Sequence, residues 1–144
     1  ITDRKKNLIV TSGGKNIAPQ PIENLMTTSR YIDQIMMIGD KRQFLSALIV
    51  PAFENLESYF KSNGLTAGSR KELVKHSKTY TLISGEIKRL STDLSNHECI
   101  QKFVVLDREF TQENGDLTPT LKVIRIAVEK KYARGIEMMY SSTT

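Results

Sequence analysis

The chain has 144 residues, of which 39% are hydrophobic and 26% are charged, values typical of one globular domain with its own core. No apolar run is long enough to span a bilayer, and the first residues lack the pattern of a secretory signal peptide. Because Cys99 is the single cysteine, an internal disulfide is excluded and a reducing compartment is indicated. Cys99 and the two histidines have no metal-ligand spacing, so we expect no metal site.

The positive charge of the chain suits a polyanionic partner such as nucleic acid or nucleotide phosphates. Lysine and arginine total 21, aspartate and glutamate total 16, and the formal net charge is +5. The cations are dispersed, however, and Arg4-Lys5-Lys6 is the one run of three. The chain has no tryptophan and does not interleave basic with aromatic residues. A basic nucleic-acid-binding module is therefore the weaker interpretation.

The N-terminal segment predicts a projecting β-hairpin. Residues 8–11 are strand-prone, Gly13-Gly14 is a turn signal, and residues 16–18 can return as a second strand before Pro19 ends the ladder. Paired glycines can adopt positive φ or let a ligand approach the backbone closely. On these residues alone, a plain hairpin turn is the simpler explanation.

The segment after this hairpin predicts a short helix that packs on a sheet. Pro21 suits the first turn of a helix, and Glu23 favours its positive N-terminal end. The apolar residues that share one face are Ile22, Leu25 and Met26.

Three apolar runs predict the strands of the core sheet. Residues 32–40 and 45–51 are joined by a short polar link, which favours an antiparallel hairpin, and their near-continuous apolar character indicates burial. Residues 100–107 predict a third strand, in which Phe103 and Val105 face one side.

Helical spacing appears in three further segments. Residues 53–60 predict a helix that ends at Asn63-Gly64, and residues 69–95 predict one broken helix or two successive helices. Within them, we expect His76 to be a half-buried packing residue that shares a face with Leu73 and Tyr80.

The last helical segment, 121–140, has an apolar face, and we expect its basic residues to be solvated. These basic residues are Lys130, Lys131 and Arg134. Together the segments predict an α+β fold, a small few-stranded sheet packed with helices plus an N-terminal β-hairpin.

A second motif precedes the last helix. Asn114-Gly115 predicts a turn, and Thr118-Pro119-Thr120 is extended or turning. Lys122 therefore lies where a loop enters a helix. On its own, this lysine is best explained as a surface charge.

The two motifs together resemble the C-terminal domain of adenylate-forming enzymes, a superfamily of acyl-CoA synthetases, peptide-synthetase adenylation domains and luciferases. The matching stretches are Asp3-Arg4-x-Lys6, then Ser12-Gly13-Gly14-Lys15-Asn16-Ile17-Ala18-Pro19, and finally Leu117-Thr118-Pro119-Thr120-Leu121-Lys122. The resemblance covers nearly the whole chain. The residues of these stretches are most similar to those of the long-chain fatty-acid–CoA ligases.

The resemblance implies two half-reactions and a residue for each. Carboxylate and ATP first give acyl-adenylate, and the thiol of coenzyme A then displaces AMP. Lys122 matches the catalytic lysine of adenylation, and Ser12-Gly13-Gly14 matches the hairpin that lines the pantetheine tunnel.

The resemblance also implies supporting roles for nearby cations. Lys15 is expected to meet coenzyme A phosphates, Arg4 to lie near the AMP ribose, and Lys6 to occupy the hinge about which the domain rotates. The cofactors implied are ATP, CoA and Mg2+, bound mainly by a large N-terminal domain. Residues 1–144 would then be a C-terminal lid domain, cut from a longer protein and inactive alone.

The implied partners are this N-terminal domain, ATP or AMP, a fatty acid and coenzyme A, with no nucleic acid. A cytoplasmic location follows, with possible peripheral membrane contact of the full-length enzyme. One alternative stays within the superfamily, because the lid of a peptide-synthetase adenylation domain would serve a carrier protein instead of free coenzyme A.

Overall fold

The structure, a computed structural model, describes residues 8–66, 68–95, 98–120 and 125–141, with the backbone alone at 125, 126 and 141. The elements in chain order are β1 (Ile9–Val10), β2 (Asn16–Ile17), α1 (Pro19–Met26), β3 (Ile32–Ile38), β4 (Leu45–Pro51), α2 (Phe53–Ser62), α3 (Arg70–Lys75), α4 (Ser77–Leu90), β5 (Ile100–Val105), α5 (Arg125–Lys131) and α6 (Ala133–Ser141).

The central sheet has the strand order β3-β4-β5. Strands β3 and β4 are antiparallel, with Ile35 opposite Ile49, and β4 and β5 are parallel, with Ala47 opposite Phe103. The predicted hairpin and third strand are therefore confirmed. The parallel pair is joined through residues 52–99, which carry α2, α3 and α4, because parallel neighbours need a long crossover.

Helices cover both faces of this sheet, which explains why its strands read as continuous apolar runs. The first face packs against β1, β2, α1 and α4, and its strand residues include Ile35, Met37, Ala47, Ile49 and Phe103. The second face packs against α2, α3, α5 and α6, and its strand residues include Met36, Ile38, Leu48 and Val50. The predicted α+β fold is confirmed.

The N-terminal hairpin projects less than the sequence suggests. Ile9 pairs with Ile17 across β1 and β2, and these side chains are 4% and 1% exposed within the first core cluster. The turn residues 12–15 are all exposed, as are Val10 and Asn16, whose side chains alternate with the buried ones. The alternation of apolar residues inserts the hairpin base into the core, since a two-stranded ribbon is not stable alone.

Glu23 lies beyond the first turn of α1, so the predicted interaction with the positive end of the helix is wrong, and its side chain links α1 to the sheet instead. Its side chain is 8% exposed, and its carboxylate accepts a hydrogen bond of 2.8 Å from the backbone N–H of Met37. A buried carboxylate on the apolar face of α1 is satisfied in this way by the strand beneath it.

The helix boundaries in the middle of the chain follow the sequence signals. Gly64 has φ +68° just after α2, as a C-terminal cap requires. Residues 69–95 form two helices, and His76 separates them: its half-buried ring lies edge-on to Phe60 at 5.0 Å, and its Nδ1 accepts from the N–H of Lys78. Tyr80 is 48% exposed, and its ring stacks on Phe103 with 4.4 Å between centroids. It therefore packs on the first face of the sheet, whereas Leu73 packs on the second.

The last segment is two helices, with Tyr132 between α5 and α6. Lys130 and Arg134 are exposed as predicted. Lys131 is exposed as well, and its ammonium group also lies 2.7 Å from the carboxylate of Asp116, a partner that the sequence did not indicate. Within the ranges that the structure describes, no helix is both long and apolar enough to cross a bilayer.

Candidate functional site

The glycine turn between β1 and β2 is closed by hydrogen bonds that centre on Thr11. The N–H of Thr11 donates to the carbonyl of Lys15 at 3.0 Å, and the N–H of Gly14 donates to the carbonyl of Thr11 at 2.9 Å. The Thr11 hydroxyl accepts from the N–H of Lys15 at 3.2 Å. Gly14 has φ +83°, a left-handed conformation in which glycine avoids the steric cost of a Cβ.

The tip of this turn presents bare backbone to solvent. Ser12, Gly13, Gly14 and Lys15 are all exposed. A Cβ built on Gly13 would be 4.0 Å from the Thr11 hydroxyl, and one on Gly14 would meet nothing within 4 Å. The N–H and C=O of Gly13 have no hydrogen-bond partner among the described residues. The absence of side chains here leaves room and bonding capacity for a ligand.

A cleft of about 340 Å³ opens beside the turn. Its lining residues are Thr11, Gly13, Lys15, Gln43, Phe44, Leu45, Cys99 and Gln101. An aromatic ring, amide groups and one ammonium group surround the cleft. It therefore suits a ligand that carries hydrogen-bonding groups and a negative charge.

Four of these lining residues carry no motif and are missed by sequence reasoning: Gln43, Phe44, Cys99 and Gln101. They come from the β3–β4 link and from the start of β5. The parallel pairing of β4 with β5 places Leu45 opposite Ile100, so both segments meet the hairpin at one end of the sheet. These residues could have been predicted only if the direction of the third strand relative to β4 had been known.

The second motif lies at the opposite end of the sheet. The side chain of Gln34, near the start of β3, accepts from the N–H of Phe110 at 2.8 Å. Its amide donates back to the Phe110 carbonyl at 3.3 Å. Gln34 is opposite Val50, whereas the glycine turn lies beside the β3–β4 link, beyond Ile38 and Leu45.

The loop at this second end is held by a buried carboxylate. The side chain of Asp116 is 2% exposed, accepts from Lys131 Nζ at 2.7 Å and also accepts from the N–H of Thr111. Gly115 has φ +79°, as the predicted Asn114-Gly115 turn requires. The same Lys131 ammonium donates to the Asn114 carbonyl at 3.0 Å.

The predicted site residues fall into two groups. Ser12, Gly13, Gly14 and Lys15 come together in the exposed turn. Arg4, Lys6 and Lys122 lie outside the described residues. The described part of the chain contains no group of three or more His, Cys, Asp or Glu residues that could hold a metal ion.

Sequence comparisons identify relatives along nearly all of the chain. Residues 6–144 match the family described as AMP-binding enzyme C-terminal domain. The chain is 39% identical over 142 residues to a long-chain-fatty-acid–CoA ligase of Mycobacterium tuberculosis, covering 98% of this chain and 24% of that protein. It is 34% identical over 145 residues to long-chain-fatty-acid–CoA ligase 5 of Mus musculus, covering 99% of this chain and 21% of that protein.

Solved structures share the fold. The adenylation domain of a Mycobacterium chelonae carboxylate reductase has a TM-score of 0.77 at 27% identity, covering 96% of this chain and 20% of that chain. The A domain of a Segniliparus rugosus carboxylic acid reductase, in complex with AMP and a co-purified carboxylic acid, has a TM-score of 0.77 at 25% identity, covering 98% and 21%. The chain thus spans about a quarter or less of the relatives' lengths.

These matches confirm the resemblance that the two motifs carry. The family match includes the glycine hairpin, the three-stranded sheet and the C-terminal helices. The chain belongs to the AMP-binding enzyme C-terminal domain family.

Proposed function

We propose that residues 1–144 are the C-terminal lid domain of a long-chain fatty-acid–CoA ligase. The carboxylate of the fatty acid attacks the α-phosphorus of ATP and releases pyrophosphate, and the coenzyme A thiol then attacks the acyl carbon and releases AMP. The observation that carries this proposal is the 39% identity with a long-chain ligase across 98% of the chain. A peptide-synthetase lid is less well supported, because the curated relatives at this identity are CoA ligases.

The glycine turn is the proposed contact for the pantetheine arm of coenzyme A. The N–H and C=O of Gly13, which have no partner in the part of the chain that the structure describes, can bond to the pantetheine amides, and the bare tip leaves space for the arm. Coenzyme A supplies the thiol when it is bound. The residues of this chain hold and orient the arm. This lowers the entropic cost of bringing the thiol to the acyl carbon.

Lys15 is the proposed contact for the phosphates of coenzyme A. It is exposed and lines the cleft beside Gly13. The flexible side chain lets the ammonium group reach a phosphate of coenzyme A and form an ion pair with it.

Lys122 is the proposed catalytic residue of the adenylation step. Its ammonium group would hold the carboxylate near the α-phosphate and stabilise the negative charge of the transition state. Support comes from the anchored loop 111–120, which leads directly into this segment. The opposite placement of this loop and the glycine turn suits a lid that presents one end of its sheet in each half-reaction.

The remaining roles belong to the proposed full-length protein. Arg4 would contact the AMP ribose, and Lys6 would absorb the rotation of the lid. The N-terminal domain would supply most of the contacts to ATP, Mg2+ and the acyl chain, so residues 1–144 alone would not catalyse the overall reaction. The enzyme would act in the cytoplasm, and any membrane contact would be peripheral.

The test separates the two half-reactions in the full-length ligase. Lys122→Ala should reduce fatty-acid-dependent ATP–pyrophosphate exchange by about 10²–10³-fold and spare transfer from supplied acyl-adenylate to coenzyme A. Gly13→Leu should do the reverse. Lys130→Ala, an exposed cation on α5, is the matched control and should change neither rate. Equal losses in both half-reactions for Lys122→Ala would contradict the assignment.

A further inference from the structure

The backbone of the hairpin is bonded to the link between β3 and β4. The N–H of Lys41 donates to the carbonyl of Val10 at 2.7 Å, and the N–H of Ser12 donates to the carbonyl of Arg42 at 2.9 Å. The carboxylate of Asp40 accepts from the N–H of Val10 at 3.1 Å. These bonds flank the residues that enter the glycine turn, so the position of the link sets the position of the turn.

The link is a turn, closed by a hydrogen bond of 2.9 Å from the N–H of Arg42 to the Gly39 carbonyl, and it contains one strained residue. Lys41 has φ +62°, the one positive φ of a non-glycine residue in the described ranges. Such a conformation is sterically unfavourable and persists only when its surroundings impose it. The approach to the hairpin is also close, because a Cβ on Gly39 would lie 3.2 Å from Ile9 Cγ2.

Helix α6 contacts the end of the link that leads into β4. Tyr140 OH lies 2.8 Å from the carbonyl oxygen of Phe44, to which it donates, and 2.8 Å from Ser46 Oγ. The rings of Phe44 and Tyr140 are 4.6 Å apart. The hydroxyl also lies 3.3 Å from the carbonyl oxygen of Ile38, so this half-buried phenol contacts the residues on both sides of the link and fixes them to the helix.

The second contact of α6 reaches the residue that bonds the turn. The Arg42 guanidinium donates to the carboxylate of Glu137, and its carbon lies 4.8 Å from the centre of the Tyr140 ring. The hydrogen bond from Arg42 lowers the pKa of Glu137. Guanidinium groups favour this combination of a carboxylate partner and an aromatic face.

We infer that Tyr140 and the Glu137–Arg42 pair are positioning residues for the glycine turn, acting through the β3–β4 link. The effect that we expect on catalysis rests on the proposed function, whereas the positioning itself does not. The cluster bonds to the link and to the hairpin end of the sheet, while the loop 111–120 lies at the other end. Loss of the cluster should therefore weaken the thioester half-reaction and leave adenylation unchanged.

The positioning itself can be tested on the 144-residue chain without any activity. Amide hydrogen exchange is measured by NMR in the wild type, in Tyr140→Phe and in Glu137→Ala. Tyr140→Phe removes the hydroxyl group and keeps the ring, and Glu137→Ala changes a side chain that is 63% exposed, so this second variant should fold. Exchange at Ser12 and Lys41 should accelerate about threefold to tenfold in both variants.

Two comparisons make the exchange result specific. The amides of Met36 and Leu48, opposite each other in the central ladder, should exchange at the wild-type rate. Tyr59→Phe, on α2, is the matched control for removal of a phenol hydroxyl and should leave Ser12 and Lys41 unchanged. Uniform acceleration along the ladder, or no change at Ser12 and Lys41, would overturn the inference.

The catalytic consequence is measured in the full-length ligase. Tyr140→Phe and Glu137→Ala should raise the KM for coenzyme A about threefold to tenfold and leave ATP–pyrophosphate exchange at the wild-type rate. A matching loss in both half-reactions would overturn the positioning role. A wild-type enzyme that transfers no acyl group to coenzyme A would instead refute the proposed function, and the exchange result would still stand.

Discussion

The carboxylate of Asp116, on the loop after β5, forms a 2.7 Å ion pair with the ammonium group of Lys131 on α5. The side chain of Asp116 is 2% exposed and that of Lys131 is 37% exposed. The pair therefore joins a buried anion to a cation that still reaches solvent. The two partners should respond differently to removal.

Lys131→Met should destabilise the chain by about 3 kcal/mol, because it leaves a buried charge without its partner. Asp116→Asn should cost less, about 1–2 kcal/mol, since Lys131 can be hydrated. Chemical denaturation measures both values. Lys130→Met, at the neighbouring exposed position, is the control and should stay within about 0.5 kcal/mol of the wild type. A smaller cost for Lys131→Met than for Asp116→Asn would contradict this account.

Replacement of the two glycines of the turn should affect the stability of the chain to different extents. Gly14→Ala should cost about 1–2 kcal/mol, because alanine at φ +83° is strained. Gly13→Ala places its Cβ 4.0 Å from the nearest atom, an ordinary contact distance, and should leave the melting temperature nearly unchanged. Thermal unfolding of both variants, with the wild type beside them, checks the contrast. Equal destabilisation would show that the turn tolerates no Cβ at either position.

A second pair of glycines should give effects of opposite sign. Gly85 is exposed within α4 and its Cβ would meet nothing within 4 Å, so Gly85→Ala should stabilise the chain by about 0.5–1 kcal/mol. A Cβ on Gly39 would lie 2.5 Å from Leu45 Cδ2 and 3.2 Å from Ile9 Cγ2. Gly39→Ala should therefore destabilise by about 1–3 kcal/mol. Urea midpoints decide the signs, and a stabilising Gly39→Ala would refute the close approach.

Glu86 should make a pH-dependent contribution to stability. Hydrogen bonding to Arg89, and secondarily to Ser29, lowers the pKa of the Glu86 carboxyl against the opposing effect of burial. A carboxyl with a lowered folded-state pKa stabilises the fold above its ordinary pKa, and this contribution is lost as the pH falls through the lowered value.

Glu86→Gln should therefore destabilise by about 0.5–1 kcal/mol at pH 7, because its main partner Arg89 is largely exposed. The difference from the wild type should shrink below about pH 4. Unfolding curves between neutral and acidic pH measure it. Glu57→Gln, on the exposed part of α2, should show no such trend. A difference that grows on acidification would reverse the proposed sign.

The elements that the sequence predicts well are those whose cause is local. The apolar runs 32–40 and 45–51 with a short link specify an antiparallel pair, and Gly64 ends α2 because only a few residues tolerate its positive φ. The division of the last segment at Tyr132 has no such marker. No proline or glycine lies at that point, and helical hydrogen bonds of 3.0 Å, from the N–H of Tyr132 to the Val128 carbonyl and from the N–H of Ile136 to the Tyr132 carbonyl, continue across it. The division therefore has no explanation in the local sequence.

The site shows the same division. Gly13 and Gly14 are recognisable as a turn, and the position of Asn114-Gly115 as a second turn is also readable. The ion pair of Lys131 with Asp116 spans 15 residues, and the contact of Tyr140 with Phe44 spans 96. Periodicity within one helix carries no information about such partners, which depend on the parallel arrangement of β4 and β5.

That parallel arrangement also shapes how the chain can assemble. Strand β4 can pair with β3 across a short link. It can pair with β5 only after the 48 residues 52–99 have been synthesised and folded back. Such a non-local pairing slows folding. Any shortened version that stops before Ile100 would leave the middle strand with an open hydrogen-bonding edge, a surface prone to self-association. Trimming for crystallisation or display should therefore keep β5 even where the hairpin alone is of interest.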